Sequence, residues 1–143
     1  MLKLIRKRRE KGEKGQALVE FALLVPIFLI LLFAIVDFGM GFYSWITVTN
    51  SAREGARIGA VLASEQDIID RVFETAGLPN EDENLNVEVD KAYPEGQPGE
   101  SVVVKVDYEY DLITPLASLM AFLSGDIIGP TLTLSSTAEM RLE

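Results

Sequence analysis

The chain has 143 residues, 48% of them hydrophobic, and contains neither cysteine nor histidine. This length leaves room for one long helix and one small domain, while the composition excludes disulfide bonds, Cys/His zinc sites and histidine general-base catalysis. The formal net charge of −9 is unevenly distributed. Residues 1–15 carry seven basic and two acidic side chains, giving +5, whereas the remainder carries six basic and 20 acidic side chains, giving −14.

An uninterrupted apolar run follows the basic leader. Residues 21–36 contain no charged side chain, and twenty helical residues rise about 30 Å, which is enough to cross a bilayer. We therefore predict a transmembrane helix over residues 16–37. A cleaved secretory signal is the alternative, but the helical pattern continues past the run, so the segment is expected to be retained. The basic leader predicts a cytoplasmic N-terminus and an external C-terminal domain, and its position beside the span disfavours a nucleic-acid-binding arm.

Glu20 lies at the start of the apolar segment. A carboxylate there costs a few kcal/mol unless it is neutralised, paired or able to reach the interface. It lies one turn from the polar flank, so snorkelling is one interpretation. A positive partner inside the membrane or an assembly is the other.

The segment Gly15-Gln-Ala-Leu-Val-Glu-Phe21 resembles the processing site of type IV prepilins and their relatives. The resemblance implies cleavage after Gly15, Gln16 as the new N-terminus, and Glu20 at the fifth mature position. Phe21 then occupies the aromatic position of the tight-adherence branch, while Gln16 stands where many type IV pilins have Phe. The ammonium group released at Gln16 would suit the Glu20 carboxylate of a neighbouring subunit.

Helical periodicity continues beyond the predicted span, over residues 38–63. One stripe recurs at spacings of four and three, and it comprises Phe38, Phe42, Trp45, Thr49, Ala52, Ala56, Gly59 and Ala63. Arg53, Glu54 and Arg57 lie on roughly the opposite face, and Gly55 with Gly59 has the GxxxG spacing that permits close helix packing. Two interpretations remain open: the stripe contacts another subunit, or the chain's own C-terminal domain covers it.

A second resemblance narrows the family. The element Thr49-Asn-Ser-Ala-Arg-Glu-Gly-Ala-Arg57 is similar to that of TadE-like proteins, as are the Asp37-Phe-Gly39 exit from the span and the Ser-Thr-Ala-Glu-Met-Arg ending. The resemblance implies a membrane-anchored minor pilin or pseudopilin. Its implied partners are the membrane, a prepilin peptidase, other pilin-like subunits and the pilus assembly machinery.

Residues 64–143 are predicted to form a small outer domain. Ser64 to Asp67 reads as a helix start and Gly77 with Pro79 as its stop, and a second short helix is expected from Thr114 to Leu123. Three alternating segments predict an antiparallel sheet, and they comprise residues 85–89, 102–110 and 132–142. The predicted class is thus α+β: a long N-terminal transmembrane-plus-stalk helix, then a three-stranded sheet with two short helices.

No pattern for catalysis is found in the outer domain. The acidic run from Glu81 to Glu83 lacks the spaced ligands and glycine of a calcium loop, so no metal site is predicted. We expect no enzyme activity, no cofactor, no small-molecule substrate and no nucleic-acid partner. The predicted function is a pilin-like structural subunit of a tight-adherence pilus in the cytoplasmic membrane. The alternative is a membrane-tethered extracytoplasmic binding module that never enters a fibre.

Overall fold

The computed structural model describes residues 2–92, 95–118 and 131–143, with side chains from residue 15 onward in those ranges. The helices are α1 Leu2–Gly59, α2 Glu65–Ala76 and α3 Glu81–Asn84, and the strands are β1 Leu85–Asp90, β2 Ser101–Asp111 and β3 Thr131–Arg141. The predicted class is confirmed: a long N-terminal apolar helix precedes a small domain with a three-stranded antiparallel sheet and short helices.

The contacts within the chain divide it into two compact units, residues 1–36 and residues 37–143. The first unit holds the apolar part of α1. Its most apolar 18-residue window has a mean hydropathy of 2.9, and none of that window is buried inside the protein. Within the described residues, α1 is the one helix that is long and apolar enough to cross a membrane.

The start and stop of α2 follow the predicted sequence signals. Ser64 is the N-cap: its hydroxyl oxygen accepts from the Asp67 backbone N–H, and the Asp67 carboxylate accepts from the Ser64 backbone N–H at 3.1 Å. The helix ends at Gly77, whose φ of 53° is a left-handed conformation that glycine adopts without steric cost. Ile68, Val72 and Ala76 form its buried face.

The sheet has the order β1-β2-β3 with antiparallel pairing throughout. Val104 of β2 faces Val89 of β1 on one side and Ala138 of β3 on the other. Because β2 has a neighbour on both edges, its inward side chains form the centre of the core. These buried side chains are Val102, Val104, Val106, Tyr108 and Tyr110.

Three details differ from, or extend beyond, the predictions. The acidic run from Glu81 to Glu83, for which no helix was predicted, forms most of α3, and Glu81 Oε2 accepts a hydrogen bond from the Leu78 backbone N–H at 3.0 Å. The predicted helix after Thr114 begins as a helical turn at residues 116–118, and its remainder lies outside the described residues. Helix α1 ends at Gly59, and residues 60–62 form a turn.

Candidate functional site: the surfaces of helix α1

The predicted processing segment lies on α1 with its side chains exposed. Gln16 Nε2 donates a hydrogen bond to Glu20 Oε1 at 3.1 Å, one turn along the helix. Phe21 is also exposed. In the part of the chain that the structure describes, Glu20 forms no ion pair. The Glu20 carboxylate is therefore accessible to a positive partner from outside the chain or to the membrane interface.

The structure divides the predicted helical stripe into two parts. Its aromatic members are exposed: Phe38 retains 76% of its accessible surface, Phe42 50% and Trp45 45%. Its small members, Ala52, Ala56 and Gly59, are buried against the chain's own domain. Near the start of unit 37–143, the buried residues of α1 are instead Asp37, Ser44 and Val48. Each lies one position before a member of the predicted stripe that is exposed or half-exposed.

Close approach of the sheet and α2 explains why this face of α1 carries small residues. A Cβ on Gly55 would lie 2.6 Å from Val72 Cγ2, and one on Gly59 would lie 3.0 Å from both Ile68 Cδ1 and Val102 Cγ2. The GxxxG spacing thus accommodates contacts within the domain. Of the two interpretations of the stripe, the structure shows the one in which the chain's own domain covers the small residues. Contact of Ala52, Gly55, Ala56 or Gly59 with another subunit stays a prediction.

Two of the three charged residues predicted on the far face of α1 take part in an ion-pair network with α2. Glu54 Oε2 lies 2.9 Å from Arg57 Nη2 and 3.5 Å from Arg71 Nη2, and Arg71 also pairs with Glu74 at 2.8 Å. Hydrogen bonding to Arg57 and Arg71 holds the pKa of Glu54 below its ordinary value. Arg53 is exposed, and the described residues contain no ion-pair partner for it.

Asp37 is a buried carboxylate whose structural role the sequence reasoning missed. It retains 3% of its accessible surface, and its Oδ1 accepts from the backbone N–H of Ile113 at 2.9 Å and of Thr114 at 3.1 Å. The Thr114 hydroxyl donates to Oδ2, and the Tyr110 hydroxyl donates to the Asp37 carbonyl oxygen at 3.3 Å. Asp37 thereby fastens the chain after β2 to α1. A carboxylate directly after an apolar run was the available signal.

A cavity of about 360 Å³ opens on α1 beside the β2 terminus. We call it the tyrosine groove, and its walls include Met40, Tyr43, Asn84, Tyr108, Tyr110 and Leu112. Burial raises the pKa values of Tyr108 and Tyr110. The Tyr108 hydroxyl donates to the Pro79 carbonyl oxygen at 2.9 Å. Both tyrosine hydroxyls are therefore already used inside the domain, so these two side chains offer ring surface to the groove rather than spare donors.

No group of three or more acidic side chains in the described residues has a geometry that could hold a metal ion. The acidic side chains of α3 instead occupy a single helical turn at the surface. The described part of α1 offers surfaces suited to association: an apolar segment, an exposed aromatic row, the exposed Glu20 side chain and a groove.

Comparison with known proteins agrees with this description. The family model described as TadE-like protein matches residues 15–57. No curated protein and no solved structure gives a match. The matched stretch holds the processing segment, the apolar run, Asp37 and the Ala-Arg-Glu-Gly-Ala-Arg element. The TadE-like resemblance inferred from those motifs is therefore confirmed for residues 15–57.

Proposed function

We propose that this protein is a pilin-like structural or assembly subunit of a tight-adherence, type IV-like pilus, anchored in the membrane and without enzymatic activity. The observation that carries the proposal is the coincidence of two features on one segment. The TadE-like match covers residues 15–57, and the same segment contains an apolar window that no part of the protein buries. Such a surface requires lipid or other apolar helices to cover it.

A pilin-like subunit uses both kinds of cover in turn. In the membrane, lipid surrounds the apolar helix, and in an assembly, the helices of other pilin-like subunits replace the lipid. Glu20 suits the second state, because its side chain is exposed and hydrogen-bonded only through Gln16 among the described side chains. Cleavage after Gly15 by a prepilin peptidase supplies an ammonium group on Gln16 that a neighbour's Glu20 can pair with.

The proposed location is the cytoplasmic membrane, with a single crossing, before any incorporation into a surface pilus. The +5 leader favours a cytoplasmic N-terminus and the −14 remainder an external domain. A cysteine placed at Asn84 tests this topology, because the chain has no native cysteine. We expect Asn84→Cys to react with an impermeant thiol reagent applied only to the outer face of the membrane, and labelling that requires a breached membrane would contradict the orientation.

Processing is tested by intact-mass analysis of the full chain recovered from the membrane of a host with an active prepilin peptidase. The mature chain should begin at Gln16, and Gly15→Leu should leave residues 1–15 attached. Gly12→Leu is the matched control, since Gly12 lies in the same leader and its substitution should leave cleavage intact. Wild-type protein that retains its leader in this host would contradict the proposal and favour the tethered binding module.

Assembly is tested by Glu20→Gln. If Glu20 pairs with a neighbour's ammonium group in a buried site, removing its charge leaves that group unpaired at a cost of about 3–5 kcal/mol. We therefore expect normal membrane insertion and a normally folded outer domain, but reduced pilus yield and reduced co-purification with other pilin-like subunits. Glu109→Gln, at an exposed position of β2, is the control. Wild-type assembly by Glu20→Gln would show that the carboxylate is only an interfacial anchor.

A further inference from the structure

Three exposed aromatic side chains form a continuous row on α1 in unit 37–143. The ring centroids of Phe38 and Phe42 lie 6.3 Å apart, and those of Phe42 and Trp45 lie 5.7 Å apart. We call this row the aromatic ridge. Each of its rings would bury on the order of 150–250 Å² in a fitting site, and all three retain nearly half or more of their surface in the single chain. The ridge is thus an apolar surface that this domain does not cover.

The tyrosine groove lies on the opposite flank of the same helical turns. Successive residues of an α-helix are about 100° apart around its axis, so Met40 points roughly 200° away from Phe38. Tyr43 is separated from Trp45 by the same angle, and the buried row beginning at Asp37 lies between the two flanks. The α1 residues of the ridge and those of the groove are therefore at the same height on the helix but point in nearly opposite directions.

We propose that the aromatic ridge of one copy of this chain seats in the tyrosine groove of the next copy, with the copies held side by side. The inference rests on the membrane anchoring and subunit role proposed above. When neighbouring copies lie parallel and at the same level, the ridge of one copy meets the groove of the next without a shift along α1. Because each copy offers both surfaces, the contact is heterologous and generates a row or a ring rather than a closed pair.

The composition of the groove suits an aromatic occupant. Its volume of about 360 Å³ is at the lower end of the range for small binding pockets. The Tyr108 and Tyr110 hydroxyls donate to carbonyl oxygens of their own domain, so an inserted apolar ring leaves neither hydroxyl unsatisfied. Met40 and Tyr43 add adaptable and aromatic contact surface.

Charge is divided between the same two flanks. Arg53 was predicted on the face opposite the stripe, but it lies three turns beyond Phe42 and only about 20° from it around the helix axis, which is the ridge side. It is exposed there, and the described residues give it no ion-pair partner. On the groove side, α3 carries Glu81, Asp82 and Glu83 directly beside Asn84. Opposite charges on the two flanks favour ridge-to-groove approach over ridge-to-ridge approach, although unit 37–143 is acidic as a whole.

Disulfide cross-linking in native membranes tests the contact, because every cysteine in the full-length chain is then an introduced one. Phe42→Cys places a thiol on the ridge and Asn84→Cys places one on the groove wall. Asn84 lines the groove together with Met40 and Tyr43, whereas Phe42 does not, so we expect no disulfide between the two positions within one chain. With both substitutions in the same chain, oxidation should produce a ladder of dimers, trimers and longer species. The two single variants expressed together should give dimers only.

The controls separate the possible arrangements. Each single variant alone should remain monomeric, and dimers from Phe42→Cys alone would show a two-fold, ridge-to-ridge contact and overturn the proposal. Replacing the groove cysteine by Glu88→Cys, at an exposed position of β1, should abolish the ladder. A ladder that persists with Glu88→Cys would indicate random collision and would also overturn it.

Trp45 provides a second readout, since it is the one tryptophan in the chain. Seated in a groove, it should be shielded from acrylamide, an aqueous quencher, and Tyr43→Glu should restore quenching. Strong acrylamide quenching in the unsubstituted protein, without a ladder, would show that the ridge is uncovered and refute the contact. If the chain is cleaved after Gly15 and builds pili but gives no ladder, this inference alone is refuted. If an uncleaved chain gives a ladder, the proposed processing alone is refuted.

Discussion

Replacing Gly55 by alanine tests whether α1 is held against its own domain as tightly as the structure shows. Alanine is favoured over glycine in a helix interior by about 1 kcal/mol. Against this gain, the new Cβ would lie 2.6 Å from Val72 Cγ2 and 3.3 Å from Val104 Cγ1. Carbon atoms pack at about 3.5–4.0 Å, so Val72 would have to move by roughly 1 Å.

Val72 has little freedom to make that movement. It is fully buried on α2, and a valine in a helix has one strongly preferred rotamer. Overpacking in a closed core costs about 1–3 kcal/mol, and the tight contact at Gly55 argues for the upper half of that range. After subtraction of the helix-propensity gain, we expect Gly55→Ala to destabilise unit 37–143 by about 1–2 kcal/mol.

Gly41→Ala is the matched control on the same helix. A Cβ there would lie 3.5 Å from Tyr110 Cε1, an ordinary packing distance, so the helix-propensity gain of up to about 1 kcal/mol should remain. The two substitutions are chemically identical, and the structure predicts opposite signs for their effects on the free energy of unfolding.

Hydrogen exchange of the β2 backbone amides, measured by mass spectrometry on the full chain in detergent, reports this free energy. We expect exchange about five- to thirty-fold faster in Gly55→Ala and slower in Gly41→Ala. Adding Val72→Ala to Gly55→Ala should recover part of the loss, with a coupling of about 0.5–3 kcal/mol. Exchange in Gly55→Ala that is as slow as in Gly41→Ala would refute the close approach.

Two further predictions concern the hydrogen bonds that hold the domain together. Asp37→Ala should leave the backbone N–H groups of residues 113 and 114 without their acceptor, at about 1–3 kcal/mol for each group that water does not reach; thermal unfolding followed by near-ultraviolet circular dichroism measures the loss, and Asp37→Asn, which keeps one acceptor oxygen, should lose less. Hydrogen bonding to Ser64 lowers the pKa of Asp67, so the stabilisation it provides is complete above the unfolded-state value of about 3.9 and is lost as the pH falls through the lower folded-state pKa. Amide exchange over the first turn of α2 should therefore rise in acid after correction for intrinsic rates. Ser64→Ala should weaken that dependence without abolishing it, because the backbone N–H of residue 64 still donates to the Asp67 carboxylate; an unchanged acid response in this variant would assign it to another group.

Much of the architecture follows from local sequence signals. The apolar run of residues 21–36 predicts a membrane-length helix by composition alone. Ser64 and Gly77 predict the ends of α2 because their side-chain and backbone preferences act within a few residues. The alternation in β2 predicts a strand with one buried face because side chains alternate about a strand axis. These signals are independent of the remainder of the fold.

Tertiary structure decided which face of α1 the domain covers. The helical period is compatible with several neighbouring stripes, and hydrophobicity favours the one that begins with Phe38. The folded domain covers the second half of that stripe, where the sheet and α2 approach closely enough that Gly59 and its neighbour Gly55 have no room for a Cβ. In the first half it covers the row that begins with Asp37 instead, because Asp37 meets donors 76 and 77 residues away in the chain. Steric fit and hydrogen bonds between distant segments have no local sequence pattern. The aromatic side chains were consequently left on the surface, where only the folded domain reveals them as a ridge opposite a groove.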